Sequence, residues 1–257
     1  MLAMNNAPMR GWWVRAQPLG WLALLLAVLL GMPQGHAAQE DTPANVGRTL
    51  LQLPVPPGFV DAARPLPQMR VLGERMTPPS NRLLGMFIAE QDLARAQGGQ
   101  APEMARYFMA QTLRQAEDKA FTEAEFQAVR QLLRQQYQTL LTQIAPAAQG
   151  HLDQAAREIG RDAGVDTLSL KMGELKGLEI FVDTATAISL LAATKYAVQT
   201  DKETQEIPMA MGITTATLRG KLVYFYAYAV YRSPADLDWV REVTRAWLPR
   251  AQASNPP

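Results

Sequence analysis

Ile207-Pro208-Met209-Ala210-Met211-Gly212-Ile213-Thr214-Thr215-Ala216-Thr217-Leu218, then Arg219-Gly220, then Lys221-Leu222-Val223-Tyr224-Phe225-Tyr226-Ala227-Tyr228-Ala229-Val230-Tyr231, is the stretch that decides the fold. Two runs rich in apolar, β-branched and aromatic residues, separated by two residues, read as a β-hairpin. Counting outward from Arg219-Gly220, Thr215 faces Tyr224, Ile213 faces Tyr226, Met211 faces Tyr228 and Met209 faces Val230. The opposite face carries Ala216 with Val223, Thr214 with Phe225, Gly212 with Ala227 and Ala210 with Ala229. Neither face is polar, so the sheet must be covered on both sides. The Gly212, Ala210, Ala227 and Ala229 side is small, and a helix can approach it closely.

The flanking elements supply the cover. Ser233 is an N-cap, Pro234 the first helical position and Asp236 the third. Leu237, Val240, Val243 and Trp247 then line one helical face, Pro249 is expected to end the helix, and 251–257 reads as a disordered tail. Further upstream, Thr122 and Glu125 form a capping box, with Phe121 and Phe126 at the positions of a hydrophobic staple. Phe126, Val129, Leu133, Tyr137, Leu140 and Ile144 follow at helical spacing. Pro146 is expected to end or kink this helix. A second piece would run from about Ala147 to Asp162 and stop at Gly164.

Strands are expected at Leu83–Ala89, Tyr107–Leu113, Leu168–Met172, Leu178–Thr184 and Ala187–Val198. Residues 39–80 hold eight prolines (Pro43, Pro54, Pro56, Pro57, Pro65, Pro67, Pro78 and Pro79). That lead-in should be extended and poor in helix, with Val71-Leu72 as a short strand. The expected class is α+β: an antiparallel β-sheet with helices packed on both faces (an α/β/α sandwich), a long helical insert and a C-terminal helix. Residues 39–257 read as one domain.

The first 38 residues read as a secretory signal peptide. Arg10 and Arg15 are their only charges, Leu19 to Met32 is apolar, and Pro33 to Ala38 ends in small residues. The apolar block is about 14 residues, where a membrane span needs roughly 20. Cleavage is expected after Ala37 or Ala38, with Met1, Met4 or Met9 as the start. The expected location is therefore periplasmic or secreted in a bacterium; the alternative is an inner-membrane anchor through an uncleaved leader. The chain has no cysteine, so a lipoprotein-type lipid anchor, disulfides and thiol chemistry are excluded.

Of 25 basic and 24 acidic side chains, the leader takes two arginines, leaving 23 against 24 and a net charge of −1. With no basic stripe, nucleic acid is not an expected partner. His36 also leaves with the leader, so His151 is the one histidine of the mature chain. Cys–His nucleophiles and Cys/His zinc sites are thereby excluded. His151 itself reads as a surface residue near a helix start. No cofactor, metal site or catalytic residue is expected.

Three sets of acids remain: Glu90 and Asp92; Glu179 and Asp183, whose even spacing places them on one strand face; and Asp201, Glu203 and Glu206. Met211, Tyr224, Tyr226 and Tyr228 are the candidate ligand-binding residues, since aromatic and thioether side chains make adaptable apolar surfaces.

Pro56-Pro57-Gly58-Phe59, the strands, the helical insert, the long hairpin and the closing helix with Asp238-Trp239-Val240 together resemble PsbP-type proteins in outline, over residues 53–248. The helical stretch from Thr122 to Asp162 departs from that outline. The resemblance implies an α/β/α sandwich and a non-enzymatic binding or assembly role, and it assigns no functional residue. The expected function is that of an exported, non-catalytic binding or assembly factor of the cell envelope with a protein partner. The alternatives are a carrier of an apolar or amphipathic small ligand, and a carboxylate-based hydrolase.

Overall fold

The computed structural model describes residues 41–164, 167–201 and 203–257; the leader lies outside them. β1 (Thr42–Val46) and β2 (Thr49–Leu53) form a separate hairpin. β3 (Phe59–Asp61), β4 (Asn81–Ala89), β5 (Arg106–Leu113), β10 (Lys221–Val230), β9 (Thr204–Leu218) and β8 (Ala187–Thr200) lie side by side in that spatial order. β6 (Leu168–Met172) and β7 (Lys176–Asp183) share the outer edge of β8. Every pairing is antiparallel. The helices are α1 (Pro67–Met76), α2 (Glu90–Gln97), α3 (Glu123–Ala163) and α4 (Pro234–Ala253). The architecture is the expected α+β one, with helices on both sheet faces.

The central hairpin has the register counted from its turn, from Lys221↔Leu218 to Val230↔Met209. Both turn residues have positive φ, +48° at Arg219 and +73° at Gly220, which matches the right-handed twist of the flanking strands. An arginine is strained there, and its Nη1 donates to the Leu50 carbonyl at 3.0 Å.

The small face receives α4. A Cβ on Gly212 would sit 2.9 Å from Thr244 Oγ1 and 3.0 Å from Val240 Cγ1. Phe87, Phe108, Phe225 and Trp247 close this core, with Leu51 and Leu53 of the small hairpin packed in. On the other face Met69, Met86, Ile88, Tyr107, Met109 and Met209 form a second cluster, to which α1 contributes Met69.

Four expectations are corrected. The proline-rich lead-in contains α1, and Val71-Leu72 lie within it. Pro67 takes the first helical turn, where its missing N–H costs nothing; Pro78-Pro79 follow the end, where Thr77 Oγ1 donates to the Gly73 carbonyl at 2.8 Å. Glu90–Gln97, between the expected strands Leu83–Ala89 and Tyr107–Leu113, is helical.

α3 also runs through Pro146 to Gly164 as one helix of 41 residues. Pro146 is exposed, so water can satisfy the carbonyl whose donor it removes. Beyond it Gln149 bridges to β6, donating to the Leu170 carbonyl at 2.9 Å and accepting from Met172 N–H at 2.8 Å.

α4, finally, passes Pro249 to Ala253, and the tail is docked. Asn255 is 5 % exposed and exchanges hydrogen bonds with the Gln52 N–H and carbonyl, at 2.8 and 2.6 Å. Trp247 Nε1 donates to the Pro54 carbonyl.

Replacing Gly212 by leucine should force α4 off the sheet and cost about 1–3 kcal/mol. Thermal denaturation followed by circular dichroism checks this; an unchanged Tm would mean that α4 does not rest on Gly212.

Candidate functional site

The tall face of the sheet is not fully closed. A cavity of about 340 Å³ lies between it and α3. Its floor consists of two cross-strand rows. One is Ile180, Leu190, Ile213 and Tyr226; the other is Ile188, Thr215 and Tyr224. Its roof is the α3 face read from the sequence, with Leu133, Tyr137, Leu140 and Ile144, joined by Leu141. Ile144 is 50 % exposed, so it stands at the mouth.

α3 is held over this floor at two points. Arg130 donates from Nε to Asp183 Oδ1 at 2.9 Å, and Arg134 pairs with the other oxygen. Burial opposes charge on Asp183, but the two arginines hold its carboxyl below the usual carboxylate range. The second point is Gly177, which has no side chain to keep α3 away. A Cβ there would lie 2.6 Å from the Tyr137 ring, and Gln138 Nε2 donates to the Gly177 carbonyl at 2.6 Å. Between these anchors the helix spans the cleft.

Of the four candidate residues, Tyr224 and Tyr226 line the cleft. Among the described residues neither hydroxyl has a protein hydrogen-bond partner, so both are free for a polar group of a ligand. Tyr228 stacks on Tyr107 with ring centres 4.5 Å apart and on Tyr226 at 6.0 Å. Met211 pairs with Tyr228 and is buried. These two support the platform beside the cleft and do not line it. Apart from Tyr137, Thr215, Tyr224 and Tyr226 the lining is leucine and isoleucine, and the buried methionines lie mainly in the cluster to which α1 contributes.

Glu179, Asp183 and Glu206 each pair with a cation. Glu179 and Asp183 do not share a face: Glu179 pairs with Arg241 of α4, whereas Asp183 pairs with α3. A bulge between Ile180 and Val182 adds one residue and reverses the alternation. Glu206 pairs with Lys195 across the β8–β9 ladder. Glu90 and Asp92 open α2. No group of three or more metal-ligating side chains occurs among the described residues.

His151 is corrected too. It lies inside the continuous α3 and is half-buried, facing a second cavity of about 520 Å³ toward α1. The sequence carried no signal for this cavity, because nothing in the lead-in announced α1.

A comparison with protein-family models finds no match for this chain, and a comparison with curated proteins finds none either.

The tyrosines of the tall face give a pH signature. Burial raises the phenols of Tyr107, Tyr226 and Tyr228 well above the usual tyrosine value, and Tyr196 and Tyr224 follow. The protonated form is the one the fold favours. Its contribution is therefore complete below pH about 10 and is lost as pH rises further. Phenolate absorbance at 295 nm should therefore develop for these residues at higher pH than for free tyrosine. Full titration near pH 10 with the fold intact would contradict their burial.

Proposed function

We propose that this chain is an exported, non-catalytic binding protein of the bacterial envelope that holds an apolar or amphipathic small molecule between α3 and the sheet. The observation that carries the reading is the cleft itself. Its volume lies within the range of small-molecule pockets, roughly 300–1,000 Å³, its walls are branched aliphatic side chains, and two unpaired phenols sit in its floor. The leader pattern of residues 1–38 supports export. No helix among the described residues is long and apolar enough to cross a membrane.

A protein partner is the second reading. Leu132 and Ile144 on α3 are 46 % and 50 % exposed, and Leu178 on β7 is 45 % exposed. An assembly factor would use them as contact residues. The hydrolase reading has less support, since Glu179, Asp183 and Glu206 are each engaged by a cation.

Titration of the full exported protein with N-phenyl-1-naphthylamine, beside native mass spectrometry of protein from its producing cells, tests the proposal. Saturable fluorescence enhancement or a retained small molecule is expected. Leu140→Gln should weaken probe binding about tenfold, the effect of a polar group in an apolar wall. No ligand and no probe binding, or binding indifferent to Leu140→Gln in a folded variant, would overturn it.

A further inference from the structure

The apolar cleft under α3 is graded from one end to the other. Its longer floor row crosses four strands, with Ile180 on β7, Leu190 on β8, Ile213 on β9 and Tyr226 on β10. Three strand spacings make about 14 Å, room for an elongated ligand lying across the strands. At the β7–β8 end the floor is aliphatic, with Ile180, Ile188 and Leu190. The β9–β10 end carries three hydroxyls. Thr215 and Tyr224 are paired directly across the ladder, and Tyr226 lies two residues further along β10. Residues two apart share a strand face, so the three belong to one end of the cleft.

These hydroxyls are unengaged. Among the described residues Thr215, Tyr224 and Tyr226 make no side-chain hydrogen bond. The side-chain polar atoms that are sealed from solvent without a partner belong to His151 and Thr244. The three hydroxyls therefore reach open space, and the cleft is the space they line. A fourth hydroxyl, on the roof, is that of Tyr137, whose ring lies against Gly177 of β7. A hydroxyl both donates and accepts. Burial raises the Tyr224 and Tyr226 phenols above the usual tyrosine value, so both remain donors at neutral pH.

No acidic or basic side chain lines the cleft. Arg130 and Arg134 lie outside its lining, and both are taken up by Asp183. A carboxylate or ammonium drawn in would lose its water and meet no countercharge, whereas the phenols satisfy an uncharged hydroxyl or ester oxygen. The volume, about 340 Å³, stands near the lower limit of small-molecule pockets and suits one chain.

We propose that the cleft selects a single-chain amphiphile with an uncharged oxygen head, an alcohol or an ester. Its chain lies over Ile180, Ile188 and Leu190 and its head on Thr215, Tyr224 and Tyr226. This selection rests on the reading of the cleft as a small-molecule site and adds the chemistry and direction of the ligand.

Displacement of N-phenyl-1-naphthylamine from the purified protein at neutral pH by 1-decanol, methyl decanoate and sodium decanoate tests it. The two uncharged probes should act at concentrations about tenfold or more below that of decanoate, the effect of an unpaired charge between apolar walls. Tyr224→Phe combined with Tyr226→Phe keeps both rings and removes both hydroxyls. It should weaken decanol binding about tenfold, the scale of one net hydrogen bond, and leave the affinity for the dye within about threefold. Thr215→Val, of nearly the same shape, should weaken decanol binding too, and it serves as the second variant if the first loses its fold in thermal denaturation. Decanoate displacing the dye as well as decanol does would overturn the uncharged head and leave the cleft as a site. So would decanol binding unchanged in the folded variants while the dye still binds. No binding of the dye or of any probe would strike the cleft reading itself, and the head preference with it.

Discussion

The β9–β10 hairpin has no face that water can wet, and the rest of the structure follows from covering both of its sides. The two faces differ in height. On one, Gly212, Ala210, Ala227 and Ala229 make a shallow trough in which α4 lies at van der Waals contact, with Val240 and Thr244 against the Gly212 backbone. On the other, tyrosine, methionine and isoleucine side chains stand tall and uneven. A single straight helix cannot fill such a surface to native density. Two helices share it, and the unfilled remainder is the apolar cleft.

The anchors of α3 are polar or backbone contacts. Arg130 and Arg134 hold Asp183, Gln138 holds the Gly177 carbonyl, and Gln149 holds β6. Between them the apolar roof is only partly buried, and Leu132 and Ile144 face solvent. A helix fixed by separated points and exposed between them is suited to admit a ligand, since local openings are easiest where few apolar contacts must break. α4, with one face buried from Val240 to Ala251 and locked by Trp247 and Asn255, is the opposite case.

Wherever a local rule governed, the sequence was legible. The hairpin register followed from two turn residues, the α3 start from Thr122 and Glu125, and the α4 start from Ser233, Pro234 and Asp236. Both the floor tyrosines and the roof stripe of the cleft were visible, though not that they meet. What stayed hidden depended on contacts distant in sequence. Asn255 docks on Gln52, 203 positions away, so the tail read as loose. Pro146 and Pro249 are tolerated because neighbours hold the helix on either side. One bulge in β7 sent Glu179 and Asp183 to opposite faces. His151 acquired a role as a cavity residue only because α1 formed between prolines and lay opposite α3.

One face of the sheet is closed and the other is left ajar. Native-state hydrogen exchange of the purified protein, resolved by peptide, measures this most directly. Amides of α4 from Val240 to Ala251 should exchange only with global unfolding, while those of α3 from Leu132 to Ile144 should exchange through a smaller, local opening. Equal protection of the two helices would contradict it.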